Sequence, residues 1–309
     1  MRPLCLISIF TALAAGCGQV GFNPQDVPAE FALDPGRTEV PLAISGSFPL
    51  VRASVNGAGP FWFVVDSGTR VMMIDPGAAQ QAGMSVLRKF GSVNAGGGRR
   101  TGVIGQVRVE TLKIGQAEFR SFDAMVADMA PFRSQRAEKI MGVLGVSLFW
   151  KCRFTIDYPA SKLILENFDR PFAQTGSKHR FMHRGDHLTI SATIGRTPVS
   201  VLLDTGSGVG IEISEELAAK TPFLSGPDPG PEAMTATGKV RLKTGRVSAT
   251  LALGPHRIKD PPVMISRNDL GFSASLGGEF FRHFAVTFDF RQSMLYLKRT
   301  SATPIKLTR

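Results

Sequence analysis

Two aspartates carry the chemistry to be expected of this sequence. Asp66 stands in the run Phe63-Val64-Val65-Asp66-Ser67-Gly68-Thr69, and Asp204 in Val201-Leu202-Leu203-Asp204-Thr205-Gly206-Ser207. One Asp, hydroxyl residue, Gly triplet arises by chance roughly once in several chains of this size. Two copies, each behind three apolar residues and each followed by a further hydroxyl, point to a common design. The local reading is a buried strand that stops abruptly and delivers a carboxylate onto a tight turn permitted by Gly68 or Gly206. Two carboxyls about 3 Å apart cannot both ionise, so facing turns would hold one base and one acid.

The elements that must position these turns also recur. A lead-in strand, 49–55 or 188–194, passes through a tight turn (Asn56-Gly57 or Gly195-Arg196) into the strand that ends at the Asp. Short helices are expected next, over 76–83 and 214–220, the second with Ser214 as N-cap and Glu215 and Glu216 in its first turn. Alternating strands follow, marked by Val107, Val109, Leu112 and Ile114, and by Val247, Thr250, Leu251 and Leu253. Each half closes on a matching signature. The first has Gly142-Val143-Leu144-Gly145, Phe149, Phe154, Ile156-Asp157 and Leu163-Ile164-Leu165; the second has Leu276-Gly277-Gly278, Phe281, Val286, Phe288-Asp289 and Leu295-Tyr296-Leu297. Asp157 and Asp289 lie 132 positions apart, close to the 138 between the two Asp turns. Duplicated lobes about a pseudo-two-fold axis would bring the turns together at the floor of a cleft. Gly142, Gly145 and Gly277 would let strands pass close to those turns. Asp157 and Asp289 precede turns and are assigned structural roles.

On these residues the chain resembles the pepsin/retropepsin-type aspartic proteases in their bacterial, single-chain, two-lobed form, from about residue 38 onward. The resemblance implies an all-β fold of two duplicated β-barrel-like lobes with short helices. It implies an endopeptidase in which Asp66 and Asp204 activate a water against a peptide or protein substrate, with no cofactor and no metal. Ser67 and Thr205 would tie the turns together, and Thr69 and Ser207 would place hydroxyls near the outer carboxylate oxygens and favour an acidic optimum. The Gly-rich stretch 91–105, with Gly96, Gly97 and Gly98, matches a flap in position, while a long surface turn remains the other reading. The flap tyrosine of pepsins is missing, since Tyr158 and Tyr296 fall in the closing strands. Two alternatives stay beside proteolysis: a non-catalytic peptide-binding or scaffolding lipoprotein of the same fold, and a hydrolase of other cell-envelope material such as a peptidoglycan cross-link.

Length and composition fit this outline. The 309 residues suffice for two modest domains, and Gly 33 with Pro 20 favours short strands and turns. Arg2 and the apolar run 4–15 read as a signal peptide. The run ends in Ala14-Ala15-Gly16-Cys17, similar to the lipobox of bacterial lipoproteins, which makes Cys17 the expected lipidation site and membrane anchor. Gly18, in place of an Asp, favours the periplasmic face of the outer membrane. The expected organisation is signal peptide with lipobox 1–17, tether 18–37, N-terminal lobe 38–172, interlobe linker 173–187 and C-terminal lobe 188–309. With Cys5 in the signal and Cys17 lipidated, Cys152 is left as a buried, inert thiol and no disulfide framework is available. His179, His183 and His187 are spaced for one helical face, but Gly176 and Gly185 break a helix, so a solvated linker running into a strand is preferred to a metal site. The net charge of +11 is dispersed. Nucleic acid is excluded as a partner because no basic run is interleaved with aromatics and export would separate the two. A monomer is expected. The stretch 91–105 lacks the Gly-Lys-Ser/Thr ending of a phosphate loop, and no serine nucleophile elbow, zinc-protease helix or Cys-His pairing is present.

Overall fold

The computed structural model describes residues 5–6, 23–89, 94–95, 99–100, 103–130, 138–235, 238–267 and 272–308. Each half of the chain forms its own curved sheet, and a third sheet is shared by both. In the first half Ala58–Val65 pairs with Phe48–Val55 through Asn56-Gly57, whose φ angles of 47° and 82° suit the primed turn of a right-twisted hairpin. Ile140–Leu144 runs parallel to Ala58–Val65 on its other side, all five residues buried, as an apolar strand covered on both faces should be. Met73–Ile74 and Ala117–Ala127 continue the sheet. Ala117–Ala127 then pairs with Val103–Ile114, which pairs back onto Phe48–Val55 and closes six strands into a barrel.

The second half repeats the scheme. Thr197–Asp204 pairs with His187–Ile194 and, in parallel, with Ala274–Gly277; Ile211–Ser214 and Pro262–Ser266 follow. Gly238–Val247 and Thr250–Leu253 together take the place of the single strand Val103–Ile114. The expected short helices follow each Asp turn. Pro76–Gln81 is capped by Asp75, whose Oδ1 accepts from Gly77 N at 2.9 Å, and Glu215–Ala218 by Ser214, whose Oγ accepts from Leu217 N at 3.1 Å.

The shared sheet takes three strands from each half, in the order Ser177–Arg180, Met294–Arg299, Phe284–Asp289, Arg153–Asp157, Lys162–Glu166, Arg37–Pro41. Its central pair sets Thr155 opposite Thr287, two residues that are equivalent under the repeat, with their hydroxyl oxygens 2.7 Å apart. The pseudo-two-fold axis therefore passes between them. Arg153, on the same face of its strand as Thr155, pairs with the buried Asp289 at 3.1 Å. On the opposite face Phe154 and Phe288 stack with centroids 4.7 Å apart and planes 5° from parallel. Full burial of such a side chain contributes about 1.5–3 kcal/mol, and one continuous apolar core runs through both halves. Asp157 and Asp289 accept from Ala160 N and Gln292 N, each at 3.0 Å, which is structural turn chemistry.

Two stretches expected as connectors are parts of the fold instead. The tether expected over 18–37 is packed onto the first lobe from Asn23 onward. Asn23 caps the single turn Pro24–Asp26, Glu30–Ala32 pairs with residues 118–120, and Arg37–Pro41 joins the shared sheet. Asp26 is buried and holds the Arg70 Nη2 at 2.6 Å. The linker expected over 173–187 contains an edge strand of the shared sheet, Ser177–Arg180, and a hairpin of Met182–Arg184 onto residues 187–189. In both cases a strand of the shared sheet, Arg37–Pro41 or Ser177–Arg180, finds partners more than a hundred positions away, a ladder that local polar composition does not signal. No helix among the described residues is long and apolar enough to cross a membrane.

Burial outweighs the attraction of Arg70 and lifts the Asp26 carboxyl to about 6, with the Asp123 and Asp186 charges adding to the rise. Between its ordinary value and about 6 the folded protein keeps a proton that the unfolded chain has released. This group's contribution to stability is therefore full on the acid side and is lost as pH rises through 6. Denaturant titrations of the parent and Asp26→Asn at about pH 4 and pH 7 should show the parent losing ground to the variant as pH rises. A gap independent of pH, or one moving the other way, contradicts this assignment.

Candidate active site

Both aspartate turns end strands that run parallel to a glycine-bearing strand. Ala58–Val65 lies beside Ile140–Leu144 and Thr197–Asp204 beside Ala274–Gly277. The glycines are required by contact. A Cβ on Gly145 would stand 2.4 Å from the Arg70 carbonyl oxygen, and one on Gly277 would stand 2.3 Å from that of Val209. Each Asp turn is thus seated on a strand that has no side chain at the crossing.

The two turns meet face to face. A Cβ on Gly68 would fall 2.6 Å from Asp204 Cγ, and one on Gly206 would fall 2.2 Å from Asp66 Cγ, so each carboxyl packs against the glycine of the opposite turn. The hydroxyl residues lock this arrangement reciprocally. Ser67 N donates to Thr205 Oγ1 at 2.9 Å and Thr205 N to Ser67 Oγ at 3.1 Å. The same hydroxyls donate across the interface, Ser67 Oγ to Leu203 O at 2.9 Å and Thr205 Oγ1 to Val65 O at 2.8 Å. Four buried backbone groups are satisfied by two side chains.

Asp66 and Asp204 are each 1% exposed. Asp66 Oδ1 accepts from Gly68 N at 2.7 Å and from Gly206 N at 3.2 Å, and Oδ2 accepts from Thr69 Oγ1 at 2.8 Å. Burial raises the Asp66 carboxyl above its usual range, and the hydrogen bonds from Thr69 and Gly68 oppose that rise. Ser207, at the position equivalent to Thr69, accepts from Val209 N at 3.4 Å. The arrangement is a buried carboxyl pair that can hold a shared proton, the state in which one group removes a proton while the other donates one.

Such a pair at the contact between two β lobes defines the aspartic type of peptidase architecture. The aspartyl protease family model matches residues 51–148 and 190–280, and the chain belongs to that family. No curated protein matches the sequence.

The remaining sites read from the sequence separate in the structure. Gly96, Gly97 and Gly98 of the expected flap lie outside the described residues, as does Cys17; the flanking pairs Asn94–Ala95 and Arg99–Arg100 form an antiparallel ladder. The three histidines do not share a site. His179 Nε2 lies 2.8 Å from Ser177 Oγ, the His183 ring meets Trp150 edge-on, and His187 Nδ1 lies 3.2 Å from the Gly68 carbonyl oxygen. Cys152 is a buried free thiol whose ionisation burial suppresses.

Three features of the site were not read from the sequence. A long hairpin of the second lobe, Phe223–Thr235 with Gly238–Val247, stands where the repeat places a counterpart of the Val86–Lys89 strand and its partner. Its Leu242 packs with Val209, just beyond the second Asp turn. Pro227, Pro229 and Pro231 disfavour a strand there on local grounds, and only the 138-residue offset signals it. Tyr158 is buried, its phenol kept neutral first by burial and then by the Asp66 and Asp204 charges. The third feature is the contact of His187 with the first turn.

Removal of either locking hydroxyl strands buried groups, so Ser67→Ala and Thr205→Val should each destabilise the protein by about 2–4 kcal/mol. The double variant should fall short of the sum by about 1–3 kcal/mol. Strict additivity in denaturant unfolding would mean that the two hydroxyls do not act as one lock.

Proposed function

We propose that this chain is an aspartic endopeptidase of the cell envelope. The observation that carries the reading is the packing of each Asp carboxyl against the glycine of the opposite turn, which creates a buried dyad. A water held between the carboxyls loses a proton to the ionised member as its oxygen bonds to the scissile carbonyl carbon. The protonated member gives its proton to the carbonyl oxygen. Collapse of the tetrahedral species returns a proton to the leaving amine as the C–N bond breaks, and no covalent enzyme intermediate forms. The shared proton belongs to the pair and not to one residue. Gly68, Thr69 and Gly206 orient the Asp66 carboxyl, and Ser67 with Thr205 keeps the two turns in contact.

The substrate in this reading is an extended peptide or protein segment lying in the cleft between the lobes. The enzyme acts as a monomer, since one chain supplies both aspartates, and it takes no nucleic acid. Signal cleavage before Cys17 and lipidation there would anchor it at the periplasmic face of the outer membrane, with residues 18–22 between the anchor and Asn23, which caps the turn Pro24–Asp26.

A mixed peptide library incubated with residues 18–309 at pH 3 to 8, beside Asp66→Asn and Asp204→Asn, tests the chemistry. The parent should cleave with an optimum below neutrality, because activity is lost as the shared proton leaves. Each Asn variant should fall by about 10³-fold or more while remaining folded. Intact peptides with all three folded proteins would favour the binding-protein reading. Release from peptidoglycan fragments alone would favour a cross-link hydrolase.

A further inference from the structure

The first Asp turn is also gripped from the second lobe at a point outside the dyad. His187, 8% exposed, opens the strand His187–Ile194, and its Nδ1 lies 3.2 Å from the Gly68 carbonyl oxygen. A carbonyl oxygen only accepts, so Nδ1 carries the proton and donates. Burial holds the imidazole below its ordinary range, against weaker opposing pulls from the Gly68 carbonyl, Asp186 and Asp66, which keeps the ring in its neutral form. The Phe272 ring stands 5.8 Å away at 78°. The neighbouring Asp186 places Oδ1 2.9 Å from Nε of the buried Arg70, whose Nη2 holds Asp26. Two consecutive residues of the second lobe therefore hold residues 68 and 70 of the first. Between them lies Thr69, whose hydroxyl is on the Asp66 carboxylate.

The repeat does not duplicate this contact. The positions 138 residues earlier are Phe48 and Pro49, which offer neither a charge nor a side-chain donor. Near the second turn the first lobe approaches by backbone: a Cβ on Gly278, whose N–H donates to Ser207 O, would stand 2.1 Å from the Ser47 carbonyl oxygen. The charged grip thus acts on the Asp66 turn.

We propose that His187 and Asp186 are positioning residues for the Asp66 turn, a one-sided clamp across the lobe interface. By fixing Gly68 and Arg70 they fix the Gly68 N–H and Thr69 hydroxyl that aim the Asp66 carboxyl, and so make the two aspartates unequal. The consequence for turnover rests on the peptidase reading; the clamp itself is readable without turnover.

The test compares the full-length chain with His187→Leu, which removes the donor, and His187→Asn, whose side-chain N–H replaces it. Hydrogen exchange read by mass spectrometry should rise about ten-fold across 66–72 in the Leu variant, with 204–210 unchanged, and return close to parent in the Asn variant. On a cleaved peptide, kcat should fall by about ten-fold or more in the Leu variant with KM held, and recover with Asn. Equal loosening of both turns, no loosening, or equal behaviour of Leu and Asn overturns the proposal. Should the Leu variant not fold, Asp186→Asn must loosen 66–72 selectively, and unchanged exchange there overturns it as well. Selective loosening in a chain that cleaves nothing supports the clamp and removes the peptidase reading instead.

Discussion

The reciprocal hydrogen bonds between Ser67 and Thr205 are the constraint on which the rest of the structure depends. Two carboxyls buried in contact repel each other when ionised, and each costs several kcal/mol to desolvate. Chemistry of the dyad type is available only if something other than the carboxyls keeps them together. Here each hydroxyl accepts from the opposite turn's N–H and donates to a carbonyl at the end of the opposite strand. Separation of the lobes at this point would take away the side-chain partners of four buried backbone groups. The glycines follow from the same demand: only a chain without a Cβ at 68 and 206 lets each carboxyl approach so near.

The shared sheet extends that constraint through the molecule. Ser67 and Thr205 at the cleft floor, and Thr155 and Thr287 in the sheet below, are both pairs of repeat-equivalent residues in mutual contact, so two points on the pseudo-two-fold axis are pinned by hydroxyls. The repeat is not obeyed everywhere. Arg153 pairs with Asp289, whereas the position equivalent to Arg153 in the second half is Ala285. Asp186 and His187 likewise face the first turn, with Phe48 and Pro49 at the equivalent positions. Duplication sets the frame, and single charged residues then distinguish its two sides.

What the sequence made legible was whatever the repeat stated twice. The two Asp turns, their hydroxyls, the glycines that strands pass and the turn-capping Asp157 and Asp289 all occur at matched offsets with local residue types that suit them. The strap from Asn23 and the strand Ser177–Arg180 were hidden because their stability comes from distant ladders and from one buried ion pair, Asp26 with Arg70, that local composition cannot signal. The Pro-rich hairpin of the second lobe was hidden for the opposite reason, since three prolines disfavour a paired strand unless they fall where one side has no ladder, as residues 227–231 do: Phe223–Thr235 pairs with Gly238–Val247 on one side, and Cys5–Leu6 meets it on the other only at residues 233–234. His187 was visible only as one of three regularly spaced imidazoles, and its partner, a backbone carbonyl in the other lobe, leaves no trace in the sequence.

The six-stranded sheet also changes what the covalent connection between the halves is for. The chain crosses from one lobe to the other once, through residues 167–176, yet each half contributes three strands to that sheet and the halves meet in its central antiparallel pair. Continuity of the backbone sets the ratio and proximity of the halves during folding. Cohesion afterwards belongs to the ladder, the stacked Phe154 and Phe288 and the turn hydroxyls. A chain nicked at that crossing would persist as a two-chain particle, held by the surface that two separate copies of an undivided half would use to find each other.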